Sequence, residues 1–268
     1  MNKKKKLIIL EIVMIIAAAI IFYPIIMMLF ISLKSNTETM TSPLSFPSKI
    51  VFENYIIAFK KMDYLTALKN SSILTAGATF IGVFVYSMAA YAFMRAKKMK
   101  KFFSALYIII IAGYVLPAQA ALVPLTIWLK KLHMVNTLHG ITSLFIGASA
   151  AFGIFLISRF IKTIPIELEE AAVIDGCTPF GIFFRIMVPL LKPPIVSLII
   201  IRSVGVWNNF LFPLVILQGK SSRTLPLAVY FFKGEYITQW NILFAALVLA
   251  TIPIAIFFFS LQNQIVEG

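Results

Sequence analysis

Residues Glu167 to Pro194 read ELEEAAVIDGCTPFGIFFRIMVPLLKPP, a polar and semi-polar island about two-thirds along a chain that is otherwise largely lipid-soluble. The stretch predicts two short helices broken at a glycine. Pro165 stands where a helix can start, and Glu167, Glu169 and Glu170 fall near its first turn, where the helix dipole favours negative charge. Leu168, Ala171 and Ala172 share one face by i, i+3, i+4 spacing, and two alanines there allow another surface to come close. Gly176 is a natural stop, because glycine takes the left-handed capping conformation cheaply. Thr178 reads as the next N-cap, with Pro179 at the first helical position. Phe180, Phe183, Phe184 and Met187 line one face of the second helix. Pro189 is expected to end it, and Pro193 and Pro194 to delay the next helix.

Hydrophobic residues make up 60% of the 268 and charged residues only 13%. A soluble domain carries about 25% charged residues, so this composition means a polytopic membrane protein. The net charge of +14 does not indicate nucleic acid. The basic residues flank apolar runs, as the positive-inside rule and anionic lipid headgroups require. Cys177 is the only cysteine, so no internal disulfide can form. Lys3 to Lys6 precede an apolar run reaching about Leu33, too long for a signal peptide, which predicts an uncleaved first span.

About 20 apolar residues cross the hydrocarbon core. Six spans are expected, at about 8–32, 71–94, 103–126, 141–162, 195–217 and 242–262. The second is rich in Ala, Gly and Ser and should pack against other helices. Residues 34–67, Leu129–Gly140 and Gly219–Trp240 are then external. Lys3–Lys6, the turn from Arg95 to Lys101 and the island at 167–194 share the opposite side. The dense basic clusters in short turns are all on that side, which makes it cytoplasmic, with both termini inside.

The island resembles the EAA loop of the membrane-spanning subunits of binding-protein-dependent ABC importers. Glu170, Ala171 and Ala172 are followed at the family's spacing by Gly176 and then by Ile186, Val188 and Pro189, with Val188 in place of the usual leucine. The run Ile174-Asp175-Gly176 and the trailing Pro189-Leu-Leu-Lys-Pro193 resemble the carbohydrate branch, in particular the second maltose-type permease. The segment Phe52-Glu-Asn-Tyr55 also resembles one common in the family.

The resemblance implies an all-α polytopic fold of the type I importer permease, with six transmembrane helices and a cytoplasmic coupling loop at about 163–194. Residues 1–69 would form an added N-terminal helix and external loop, 70–262 the transmembrane domain and 263–268 a short cytoplasmic tail. It further implies a bacterial cytoplasmic-membrane location. The expected partners are a second homologous permease, two ATP-binding subunits, an extracellular solute-binding protein, membrane lipid and a sugar substrate. No cofactor is expected on this chain, since ATP and magnesium would bind the partner ATPases. The first EAA helix would seat in an ATPase cleft and move as a rigid body, flipping a bistable bundle between outward and inward access. Glu170 would position the loop or pair with a basic ATPase residue, Ala171 and Ala172 permit close seating, Gly176 permit the turn, and Asp175, Phe180, Ile186 and Pro189 complete the coupling element. Leu261–Gly268 resembles the family's C-terminus but stops short of its usual last residues, so no tail contact with the ATPases is expected.

The fifth span carries Arg202, Ser203, Trp207, Asn208, Asn209 and Phe210. Polar groups in a span face the bundle interior or a pathway. Trp207-Asn208-Asn209-Phe210 resembles a Trp-Asn-Asp-Phe run of sugar permeases, with Asn209 replacing the aspartate. An aromatic plate with amides suits sugars, whereas interhelical packing is the plain alternative. Arg202 either helps pass an acidic sugar, or pairs with an acid on a neighbouring helix or snorkels to the cytoplasmic face. Gln119, Tyr23, Tyr86, Ser87 and Tyr114 also interrupt apolar runs and are weaker candidates for a pathway.

Catalytic chemistry is not visible. His133 and His139 are six apart with no cysteine or carboxylate cluster nearby, so no metal site is expected. Gly176 to Gly181 has the glycine spacing of a phosphate loop, but Ile182 stands where the lysine must be. A secondary transporter would need intramembrane carboxylates, and apart from Glu11 near one end the spans hold none at mid-depth. An importer for a non-sugar solute is the nearer alternative.

Overall fold

The computed structural model describes residues 3–96, 98–115, 117, 119–235 and 239–261. In chain order the helices are α1 (Lys3–Ser32), α2 (Asn36–Thr41), α3 (Glu53–Lys61), α4 (Tyr64–Arg95), α5 (Lys100–Ala112), α6 (Leu122–Lys131), α7 (Leu138–Ile161), α8 (Glu167–Ile174), α9 (Pro179–Ile182), α10 (Val188–Leu190), α11 (Lys192–Trp207), α12 (Leu211–Ile216), α13 (Leu225–Glu235) and α14 (Trp240–Leu261). Two compact units form, one from Met1–Leu65 and Ala228–Pro253, the other from Thr66–Leu227 and Ile254–Gly268.

In the first unit, α1 is apolar on every side and almost wholly exposed within its own chain. Such a helix needs lipid or another subunit around it. Its C-terminal end is pinned. Asn54 Nδ2 donates to the carbonyls of Ser32 and Lys34, each at 2.8 Å, and Asn241 Nδ2 donates to Asn54 Oδ1 at 2.8 Å. Tyr55 and Ser32 share a hydroxyl hydrogen bond at 2.7 Å. The family-like segment 52–55 is therefore a staple on the end of α1. Lys34 is fully buried, and its ammonium donates to Ser42 O, Pro43 O and Ser45 Oγ at 2.7, 3.1 and 3.2 Å. All three of its donors are matched, so the loop after α1 is a built knot rather than a loose turn.

The second unit holds two apolar cores. One joins the start of α4 to α6, the start of α7, the end of α11 and α12, through Leu74, Leu129, Ile141, Phe145 and Phe212. The other joins the end of α4 to the end of α7, α8, α9 and the start of α11, through Tyr86, Ile157, Ala172, Phe183 and Leu198. The small residues of the second expected span serve this packing. A Cβ on Gly153 of α7 would sit 2.2 Å from the Tyr86 ring of α4, so α4 and α7 approach only because that side chain is absent. Tyr86 is fully buried and its hydroxyl donates to Ile146 O. Ser87 bonds back to Val83 O within its own helix. Both are packing residues, not cavity lining.

Among the described residues, four helices are long and apolar enough to cross a membrane: Lys6–Ser32, Tyr64–Arg95, Leu138–Ile161 and Trp240–Ser260. The expected spans 103–126 and 195–217 are each broken. The first becomes α5, a 3₁₀ turn at Gly113–Val115 and then α6. Pro117 follows that turn, and proline cannot continue a helical hydrogen-bond ladder. The second breaks at Asn208–Phe210, between α11 and α12.

Candidate functional site

The α8–α11 segment is built from the caps its sequence encodes. α8 opens at Glu167 with Ile166 as its capping residue, so Pro165 lies before the helix and not at its first position. At the other end Gly176 has φ +80°, Cys177 N donates to Ala172 O at 2.9 Å and Gly176 N donates to Val173 O at 3.0 Å. This pair of bonds is a Schellman motif, which closes the last turn of α8. A Cβ at Gly176 would meet nothing within 4 Å. The glycine is there for its backbone angle, not for space. Thr178 then accepts the N–H of Gly181 at 3.1 Å, with Pro179 at the start of α9.

The second half departs from expectation in two places. Pro189 does not end the helix. A π-helical turn at Phe183–Met187 widens the ladder ahead of it, and Val188 N bonds Phe183 O. The wider turn takes up the missing donor and the ring of Pro189. Pro193 and Pro194 do not delay the next helix either. They stand in the first turn of α11, where their missing N–H groups have no intrahelical partner to lose. The Pro179–Leu190 and Lys192–Trp207 segments meet at 75° across the buried Leu191.

The face readings are also redistributed. Leu168, Ala171 and Ala172 do not share an environment. Ala172 and Glu169 point into the protein, whereas Leu168 and Ala171 are exposed together with Val173, and Ile174 is 85% exposed. On the second helix Phe183 and Met187 are buried, Phe180 and Phe184 are exposed and Ile186 is half-buried. Glu170 and Asp175 are exposed beside the outer face of α8. The loop thus presents an apolar outer surface, edged with acid, on a short helix with a closed cap.

What fixes the inner face was not foreseen. Arg95, the last residue of α4, pairs through Nε with Glu169 Oε1 at 2.6 Å. Its Nη2 donates to Ile164 O at 2.7 Å and Ile161 O at 3.2 Å, carbonyls at and just past the end of α7. Tyr91, one turn earlier on α4, donates to Glu169 Oε2 at 2.8 Å. The sequence reading placed Arg95 only in a basic turn and Glu169 only in the helix dipole. The i, i+4 spacing of Tyr91 and Arg95 was the available signal.

The expected pathway residues do not form one site. Trp207 is 6% exposed and is no open stacking plate. Asn208 is exposed. Asn209 Oδ1 accepts Phe212 N at 3.1 Å and so steadies the start of α12, an acceptor role that the family's aspartate could fill equally. Arg202 donates from Nη2 to Phe145 O at 3.3 Å, and its buried Nε has no partner among the described residues. Gln119 is exposed in the turn before α6. An open cavity of about 670 Å³ lies between α5, α6 and α7, lined by Tyr114, Pro117, Leu125 and the small residues Gly147, Ala148 and Ala151. None of the five expected residues is among its described lining, while Tyr114 is.

Comparison with known proteins completes the picture. The chain is 33% identical over 242 residues to the probable starch degradation products transport system permease protein AmyC of Thermoanaerobacterium thermosulfurigenes, covering 90% of this chain and 87% of that one. It is 31% identical over 244 residues to the sulfoquinovosyl glycerol transport system permease protein SmoH of Agrobacterium fabrum, covering 91% and 85%. A chain in the crystal structure of a bacterial ABC transporter involved in the import of the acidic polysaccharide alginate superposes with a TM-score of 0.82 at 22% identity over 98% of both chains, which shows a common fold. Residues 82–267 match the profile of the binding-protein-dependent transport system inner membrane component. With this much of its length matched, the chain belongs to that family: it is an inner-membrane permease component of a binding-protein-dependent ABC transport system.

Proposed function

We propose that this chain is the permease subunit of an ATP-driven importer that carries a sugar or oligosaccharide across the bacterial cytoplasmic membrane by alternating access. It crosses six times with both termini inside; α5 with α6, and α11 with α12, form the broken third and fifth crossings. A second permease completes the pathway, an extracellular binding protein delivers the solute, and two partner ATPases carry ATP and magnesium. α8 seats in a cleft on one ATPase, with Ala171 allowing close approach and Gly176 holding the turn. The relatives named for starch products and sulfoquinovosyl glycerol support a saccharide as the solute.

The observation that carries the reading is the α8 hairpin. A helix of 8 residues with a closed glycine cap keeps Leu168, Ala171, Val173 and Ile174 exposed while its inner face is held by Arg95. Exposed apolar side chains on a rigid element outside the bilayer mark an interaction surface. The structure also separates the two alanines. Affinity purification of the tagged chain from its native membrane should bring down an ATPase subunit and a sister permease. Ala171→Trp should lose the ATPase while keeping the sister permease. Ala172→Trp should instead disturb the hairpin core. Retention of the ATPase by Ala171→Trp would overturn the docking assignment.

Arg202 favours an acidic saccharide. Among the described residues its buried Nε has no partner, and its hydrogen bond is to a backbone carbonyl. A guanidinium in a span calls for an anion. Arg202→Leu should reduce uptake of an oligouronate more than that of a neutral oligosaccharide, and equal loss of both would remove the idea.

A further inference from the structure

We propose that Tyr91, Arg95 and Glu169 form the joint through which movement of α8 is passed to α4, so that Glu169, beside the motif's own Glu170, is the residue that makes the coupling loop and the α4 span move together. The inference rests on α8 being the ATPase-docking element proposed above.

The geometry is that of a joint rather than a casual surface pair. Glu169 uses its two oxygens for different donors: Oε1 takes Arg95 Nε at 2.6 Å and Oε2 takes Tyr91 OH at 2.8 Å. Arg95 in turn spends Nη2 on Ile161 O and Ile164 O. One guanidinium therefore ties α4, the end of α7 and α8. The carboxylate and the guanidinium are only 10% and 16% exposed, so solvent screens the pair weakly. Removing one partner leaves the other partly desolvated and unpaired. Charge-assisted bonds of this length are the stronger kind. Tyr91 also packs on Phe183, with ring centroids 5.4 Å apart, which reaches the second half of the hairpin.

α8 is held to α7 and α11 both by the chain and by the apolar core that Ala172 shares with Ile157 and Leu198. No short connection joins it to α4, whose end lies 72 residues before the start of α8 in the chain (Arg95 to Glu167). Without the joint only non-directional apolar packing, through Ala172 and Phe183, holds the hairpin to α4, and a pull on α8 can slide the hairpin against that span. With it, α4 must follow, and with α4 goes the span that packs against α7 through Gly153 and Tyr86. Glu169, Arg95 and Tyr91 are positioning residues, acting through the helices they tie.

The test uses the assembled transporter purified with its partners. Nitroxide labels are placed at Glu167→Cys on α8 and Val85→Cys on α4, in a Cys177→Ser background. The distance between labels is measured without nucleotide and with Mg-ATP and vanadate. With the native joint the distance should stay constant between the two states. In Glu169→Gln and Arg95→Gln it should change by up to about 5 Å, one helical turn, with the ATPase still bound. The swap Arg95→Glu with Glu169→Arg should restore constancy. Constant distance in Glu169→Gln overturns the proposal. Loss of the ATPase from Glu169→Gln, unrescued by the swap, also overturns it by assigning these residues to docking or folding. Absence of an ATPase from the unsubstituted chain would instead overturn the docking reading beneath it.

Discussion

Gly176 offers the sharpest quantitative expectation. Its φ of +80° sits in the left-handed region, and an added Cβ would find open space. The penalty for Gly176→Ala is therefore internal to the backbone, about 1–2 kcal/mol. That corresponds to a rise of roughly 5- to 30-fold in the fraction of hairpins with an open cap. Gly176→Asn should cost less, because asparagine visits the left-handed region more readily. Gly176→Pro should be worst. Proline fixes φ near −65° and removes the N–H that bonds Val173 O. Hydrogen–deuterium exchange across residues 167–182 in the purified transporter reads the cap directly, because the Cys177 amide is protected only by Ala172 O. The expected order of exchange is wild type, Asn, Ala, Pro, with solute uptake falling in the same order. Exchange in Gly176→Ala at the wild-type rate, or faster exchange in Asn than in Ala, would refute the reasoning.

Lys34→Met should strip the knot after α1 of its centre and take one donor each from the Ser42 and Pro43 carbonyls, at about 1 kcal/mol. Limited chymotrypsin digestion of the purified protein should then cut near Phe46 faster than in the unsubstituted chain. Gly153→Ala should destabilise the packing of α4 on α7 by about 1–3 kcal/mol, since its Cβ overlaps the Tyr86 ring. A thermal unfolding scan in detergent would show the loss, and in a Tyr86→Ala background, where the ring is gone, Gly153→Ala should add little further destabilisation.

How far the chain could be read in advance depended on which force set each feature. The spans that became α1, α4, α7 and α14 rest on long apolar runs, and hydropathy alone finds them. The third and fifth were drawn as unbroken, because their composition is equally apolar; Gly113, Pro117 and Asn208–Phe210 interrupt the ladder without changing that composition. Caps were legible wherever a single residue type carries the geometry, as at Gly176 and Thr178. Prolines were less so, because their effect depends on register: Pro193 and Pro194 open α11, and Pro189 is absorbed by a π turn. Helix faces were least legible. α8 is only about two turns long, so its inner face is chosen by Arg95 and Tyr91, which lie far away in sequence. The coupling and pathway roles themselves rest on the family resemblance and on the proposals above. The expectation for the tail at 263–268 lies outside the described residues.

The central claim is that α8 meets a nucleotide-hydrolysing partner inside the cell. A photo-crosslinking amino acid in place of Ile174, the most exposed large apolar residue of that helix, tests it in intact membranes. The account predicts a crosslink to the ATPase subunit, strengthened or weakened by Mg-ATP with vanadate. A crosslink to the extracellular binding protein, or labelling of the Ile174 position by a membrane-impermeant reagent added outside the cell, would contradict it.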